Sequence, residues 1–200
     1  MTMPPLRLSI IRHGETVWSL TGKHTGRTDL ALTAEGENQA RALKPLLADI
    51  DFTHVLSSPL QRAVHTCALA GFAAVVEIEP DLVEWDYGDY EGQLSRDIRL
   101  ARPGWNCFED GCPNGESLEQ ITRRAERLIE RLSTLHGDVA LFTHGEFACA
   151  LAAVWIGGQV PDGQHLTLST GSLSVLTTNP DHPEIRVISL WNLSAALLAA

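Results

Sequence analysis

The chain has 200 residues, of which 44% are hydrophobic and 20% charged. That is the composition of one globular domain with an ordinary core, and it excludes a disordered chain. Fifteen basic residues against 25 acidic ones give a net charge of −10. That balance excludes a general nucleic-acid binder and a protein docked on anionic membrane, because both need basic surface. It leaves room for a small phosphorylated ligand, which needs only a local positive pocket.

Leu6 to Ile11 is short and apolar, and predicts a buried strand that stops at Arg12-His13-Gly14. Thr33 caps a helix through Glu37, Ala40 and Leu43, with Glu35 and Glu37 in the first turn, where the helix dipole favours acids. Pro45 is expected to end or kink it. Thr53 to Ser57 reads as a second strand. Ser58 is the expected cap of the next helix, with Pro59 at its first position. Leu60, Val64, Cys67 and Ala68 would share one face of that helix, and Gly71 would end it. Ala73 to Ile78 is a third predicted strand.

Residues 86–116 carry Gly88, Gly92, Pro103, Gly104, Gly111, Pro113 and Gly115. They read as an excursion over the surface, with one short helix near Arg96 to Arg102. Ser117 and Gln120 then form a capping-box pattern. Leu118, Ile121, Ala125, Leu128, Ile129, Leu132 and Leu135 follow at helical spacing, and Glu119 and Arg123 add a surface pair four residues apart. Asp138 to Thr143 is a buried strand ending at His144-Gly145, and Glu146 to Trp155 a helix. Leu173 to Thr178 and Ile185 to Trp191 are two final strands, expected to pair antiparallel at one edge across the NPDHP turn. Strands alternating with helices predict an α/β protein: a three-layer α/β/α sandwich with a largely parallel central sheet, one domain over residues 1–200.

No segment approaches the ~20 apolar residues of a membrane span; the longest uninterrupted apolar run is Phe147 to Ile156. The start, MTMPPLRLSIIRHG, lacks the pattern of a signal peptide. Cys67, Cys107, Cys112 and Cys149 show neither CxxC pairing nor a dense framework, and read as reduced thiols of a cytoplasmic protein. The apolar stretch Leu193 to Ala200 is open to packing on its own chain or on a second copy in a homo-oligomer.

Open sheets of this class bind ligands beyond the carboxyl ends of their strands. Here two strands end in histidine, SIIRHG and ALFTHG. Imidazole serves as nucleophile, base or ligand near neutral pH. Gly14 permits a sharp turn and close approach of backbone to an anion, and the planar fork of Arg12 suits a phosphate. RHG alone fits a strand-end histidine beside a surface arginine equally well. A second His-Gly end at His144 suggests that the two form one site. Arg62 lies in SSPLQRA on the first turn of its helix, where backbone N–H groups favour an anion; a solvated helix charge is the plainer reading. Glu84 precedes Trp85, and a carboxyl desolvated by an aromatic gains proton affinity, which suits it to general acid work. Asp86, Asp89 and Glu91 are close by, and the sequence does not choose among the four.

RHGE at Arg12 to Glu15, SSPLQRA, the Glu84 loop and THGE at Thr143 to Glu146 stand in an order and spacing that resembles the histidine phosphatase superfamily, in its phosphoglycerate-mutase-like branch. The resemblance spans Leu6 to Trp191. It implies a phosphoglycerate-mutase-like fold and a metal-independent phosphatase that needs no cofactor and acts on a small phosphorylated metabolite. By that resemblance His13 is the nucleophile that takes the phosphoryl group. Arg12, Arg62 and a cationic His144 form the phosphate pocket, and Glu84 is the acid and base. Thr25-Gly26 match a loop that touches substrate, and Ser58 lies where a pocket serine often sits. Ser19, Tyr87 and Gly145 complete the residues expected at the substrate.

WSLTGKHTGRTDLALT, EWDYGDYEG and PGWNCFEDGCPNGES look like the sedoheptulose-bisphosphatase type, which favours sugar phosphates or bisphosphates. Mutases usually carry Asn at the place of Ser19 and a longer insertion between Glu84 and His144. One departure concerns a second phosphate. That phosphatase type has an arginine after its second histidine, where this chain reads GEFACA with Cys149. Lys23, His24, Arg27, Arg96, Arg99 and Arg102 are the cations that could replace it, and each reads more simply as an ordinary exposed charge. Trp105 and Phe108 fit a lid lining or plain packing. The alternatives are a phosphoglycerate mutase, a non-catalytic phosphate-binding regulatory module, and a metallohydrolase. A regulatory module would usually lack one of the five chemical residues. The eight histidines show no HExxH or similar ligand spacing.

Overall fold

A computed structural model describes residues 4–194. Strand β1 (Arg7–Arg12) carries Leu8, Ile10 and Ile11, all fully buried. A short helix α1 (Val17–Thr21) is capped reciprocally by Thr16 and Ser19. Helix α2 (Ala34–Ala42) starts at Thr33, whose side chain accepts from the Gly36 N–H. Pro45 kinks the path: Leu43 is the joint to α3 (Lys44–Leu47), and the proline occupies that helix's first turn, where its missing N–H costs nothing. Then follow β2 (Phe52–Ser57), α4 (Gln61–Cys67) and β3 (Val76–Ile78). Further on come α5 (Ser95–Ala101), α6 (Cys107–Asp110) and α7 (Leu118–Leu132), the last with the expected Ser117–Gln120 capping box. Strand β4 (Asp138–Thr143), helix α8 (Gly145–Trp155), β5 (Ser172–Thr178) and β6 (Arg186–Ser194) complete the chain.

The six strands form one sheet in the order β3-β2-β4-β1-β5-β6. The first four are parallel, and β5 and β6 form an antiparallel hairpin at one edge. Alternation splits the strands between two cores. Leu8, Ile10, Val139 and Leu141 face α7 and α8 through Ile121, Leu128, Phe147 and Leu151. Ile11, Ala140 and Phe142 face α2 to α4 through Leu43, Leu47 and Cys67. Both faces are covered, which is why β1 and β4 read as unbroken apolar runs. No helix among the described residues is long and apolar enough to cross a membrane.

Three expectations are corrected. Helix α4 begins at Gln61, with Ser58 and Pro59 in the extended lead-in. Its first N–H groups therefore find another partner: Gln61 N–H donates to Asp29 Oδ1 at 2.8 Å. Its buried stripe is Arg62, Ala63, Thr66 and Cys67 rather than Leu60, Val64 and Ala68. Strand β3 is only three residues long. The 86–116 segment is no surface excursion. Tyr87, Ile98, Trp105, Cys107, Phe108 and Cys112 are buried in the same core as α7 and α8. Irregular Gly and Pro spacing hid that face, because its burial comes from side chains without a period. Leu193 and Ser194 pair with Leu173 and Ser172 in β6; the rest of the apolar tail, 195–200, lies outside the described residues.

Candidate active site

Strands β1 and β4 are parallel neighbours, with Arg12 opposite Thr143. The residue after each is a histidine, so the His13 and His144 rings meet edge to face, 5.1 Å between centroids. Strand β2 flanks β4 on the other side and delivers Ser58 to the same end. Two fragments 131 residues apart in sequence become one site through strand register alone.

His13 is buried, and its Nδ1 lies 2.7 Å from the Gly14 carbonyl. A carbonyl only accepts, so Nδ1 carries the hydrogen and Nε2 keeps its lone pair. Burial, then the charges of Arg62 and Arg12, hold the ring's proton affinity well below the usual histidine value. His13 is thus neutral at physiological pH. Gly14 serves a purpose other than the expected one. Its N–H donates to Thr66 Oγ1 at 3.0 Å, so it is not open to an anion. A Cβ there would sit 2.2 Å from the Gly36 carbonyl oxygen, so the glycine is required by contact with α2.

Arg62 is wholly buried. Its guanidinium donates to the carbonyls of Thr25, Gly26 and Thr28, and its Nε to His144 Nδ1 at 3.1 Å. His144 Nδ1 must therefore hold a lone pair, and its Nε2–H donates to Ser58 Oγ at 2.8 Å. The expected cationic His144 is corrected: burial, then Arg62, His13 and Arg12, hold it neutral. A second proton would be aimed straight at a guanidinium. The Arg62 helix also does not present its N-terminus to a ligand, since Asp29 occupies it.

Glu84 is the carboxyl that the structure brings to the histidines. Asp86 is paired with Arg27, Asp89 bonds Asn114, and Glu91 accepts from the Gly26 and Thr28 N–H groups. Glu84 caps the N-terminus of α8, accepting from Glu146 and Phe147 N–H and from Trp85 N–H. Such bonds favour the ionised form. Burial, joined by the charge of Glu146, outweighs them and pushes the proton affinity up to about 7. The loop that carries Glu84 is fixed by Arg124, which no sequence pattern flagged. Buried on α7, it forks onto both oxygens of Glu116, donates to the carbonyls of Asp81, Val83 and Glu84, and lies 3.9 Å over the Phe147 ring.

A hollow of about 160 Å3 opens at this end, lined by Arg12, His13, Ser19, Gly22, Lys23, His24, Thr25, Glu84, Tyr87, Ser95 and Glu146. Of the expected site residues, Arg12, His13, Ser19, Thr25, Glu84 and Tyr87 reach it directly. Arg62, His144, Ser58 and Gly26 stand behind it, and Gly145 packs against the Arg12 guanidinium in an adjoining hollow. Arg12 donates to the Leu168 carbonyl, and its Nε is buried without a partner. His24 is corrected from an ordinary exposed charge. It is half-buried against Tyr87 and Trp105, bonded to Ser95 Oγ at 3.0 Å, and held neutral chiefly by burial. Arg27, Arg96 and Arg102 are paired with Asp86, Asp97 and Asp110. Glu146 was missed as a site residue, although it stands next to His144-Gly145 in the quoted motif. Among the described residues no three His, Cys, Asp or Glu side chains group as metal ligands.

Two guanidiniums and two neutral imidazoles at the carboxyl end of a mostly parallel sheet make a site for an anionic ester, and the protein is of the phosphoryl-handling α/β class. The model of the histidine phosphatase superfamily (branch 1) matches residues 8–190, and the chain belongs to that superfamily. It is a phosphoric monoester hydrolase. It is 37% identical over 175 residues to an acid phosphatase of Mycobacterium tuberculosis, covering 84% of this chain and 85% of that one. It is 37% identical over 189 residues to a sedoheptulose 1,7-bisphosphatase of Saccharomyces cerevisiae, covering 78% and 70%. A solved structure of an open reading frame product from Mycobacterium tuberculosis superposes with a TM-score of 0.86 at 35% identity, over 94% of this chain and 97% of that one.

Proposed function

We propose that this chain hydrolyses phosphate monoesters of small metabolites, sugar phosphates foremost, through a phosphohistidine on His13. The carrying observation is the His13–Gly14 hydrogen bond, which leaves Nε2 as a lone pair in a neutral ring on the same lining as Arg12 and Glu84. Nε2 attacks phosphorus in line, and the bond from phosphorus to the ester oxygen breaks. Glu84, with its raised proton affinity, gives that oxygen its proton. The resulting carboxylate takes a proton from water, whose oxygen attacks phosphorus. The N–P bond then breaks, phosphate leaves, and both groups return to their starting states. Arg12, which lines the hollow beside His13, meets the phosphoryl oxygens. Arg62 holds His144 and the 25–28 loop in place, and its charge favours an incoming dianion.

Every charge in this scheme comes from a side chain, so turnover is expected to survive excess chelator. The sugar-phosphate preference is supported by the relative named for sedoheptulose 1,7-bisphosphate and by the polar lining of the hollow. Four free, buried cysteines fit the reducing cytoplasm. The test is to trap the enzyme with a phosphate-labelled sugar phosphate in chelator. Label that is stable in base, labile in acid and missing in His13→Ala supports the reading. Phosphate release without it, or label that moves to a second sugar position, sinks it.

A further inference from the structure

Three hollows meet at one side chain. A second hollow of about 240 Å3, the inner arm, shares Arg12 and Glu146 with the central one and is walled by Phe108, Cys149, Leu166 and Leu168. An outer arm of about 280 Å3 carries His24, Arg99, Asn106 and Gln164. Glu146 lines all three. Its charge, after burial, helps push the proton affinity of the Tyr87 hydroxyl well up. Among the described residues it makes no ion pair. The cation nearest the inner arm, Arg12, is turned to the Leu168 carbonyl. Arg99 in the outer arm is an exposed residue held by the Trp105 carbonyl, where water and salt screen it.

Glu84 Oε2 accepts from the Glu146 backbone N–H at 3.2 Å. An ester oxygen placed to take the Glu84 proton therefore brings its carbon skeleton past the Glu146 side chain on the way into either arm. A carboxylate there accepts hydrogen bonds from sugar hydroxyls. It repels a second phosphate brought alongside it in either arm; Lys23, the other cation of the central hollow, lines neither arm and lies over the Trp18 ring. We propose that Glu146 is a specificity residue that selects monophosphates with an uncharged, hydroxyl-bearing leaving group and turns away esters carrying a second phosphate. The inference rests on the phosphohydrolase reading above and narrows it.

The test compares kcat/KM on fructose 6-phosphate and fructose 1,6-bisphosphate for the wild type, Glu146→Gln and Glu146→Ala. Both variants keep the backbone N–H that Glu84 uses. The wild type is expected to favour the monophosphate by about tenfold or more, and both variants to narrow that ratio to about twofold, as loss of one repelling charge requires. A residue that merely packs would move both substrates together and leave the ratio alone. Equal or faster turnover of the bisphosphate by the wild type overturns the inference and leaves the phosphatase reading standing. So does a wild-type ratio retained in both variants. Release from neither sugar, nor from nitrophenyl phosphate, overturns the phosphatase reading and this inference with it.

Discussion

The two His-Gly strand ends are alike in sequence and opposite in use. His13 bonds the carbonyl of the very next residue, which occupies Nδ1 and leaves Nε2 open on the lining of the hollow. His144 has both nitrogens engaged, one by Arg62 and one by Ser58, and sits behind the lining. Both are buried and both are held neutral. Burial and protonation therefore do not separate nucleophile from supporter. The partner on the second ring nitrogen does. A local carbonyl frees an imidazole for chemistry, whereas two side-chain partners turn it into a fixed donor.

The sharpest way to break the comparison is to delete each ring. His13→Ala is expected to lower phosphate release about 10⁴-fold with no loss of fold, and His144→Ala by on the order of 10²-fold, since it removes a donor and not the attacking atom. Equal losses on a steady-state assay would end the distinction. Glu84→Gln comes next, with a loss of about 10²–10⁴-fold on a sugar phosphate and much less on nitrophenyl phosphate, whose leaving group needs little protonation. Its pH profile has a definite sign. Glu84 acts as an acid only while protonated, so wild-type kcat/KM falls as pH rises through about 7. The acid limb, from His13, lies below the usual histidine value. In Glu84→Gln the alkaline limb should disappear.

Arg62→Ala probes the support behind His144. It leaves the Thr25, Gly26 and Thr28 carbonyls and His144 Nδ1 without a donor. Urea denaturation should show a loss of about 3–5 kcal/mol, with KM raised and kcat lowered together. Ser58→Ala is the mildest. It frees His144 Nε2 and should cost about 1 kcal/mol in stability and at most about tenfold in turnover. A Ser58→Ala enzyme as crippled as His13→Ala would mean that the serine, and not its histidine partner, holds the phosphoryl group.

Much of the frame was legible because it is periodic or local. The α7 stripe, its capping box and the β4 run came through with their boundaries nearly intact, since both depend on residues a few positions apart. Helix α4 did not. Its face points at the site, and its buried stripe holds Arg62 and Thr66, polar residues that no hydrophobic pattern marks. The 86–116 segment failed for a related reason: Trp105 and Phe108 are buried by tertiary packing, with no regular element to announce it.

What the sequence determined by itself is the α/β alternation, the covered parallel strands and the two histidines at strand ends, because apolar periodicity and strand termination are properties of neighbouring residues. The tertiary structure decided which histidine has an open nitrogen, which of four nearby carboxyls is desolvated, and that Glu146 stands where three hollows meet. Those outcomes depend on partners far apart in the chain, such as Arg62 and His144, 82 residues from each other, or Glu84 and Phe147, 63 residues apart. Proton affinity follows from who surrounds a group, and only the folded chain brings those neighbours together.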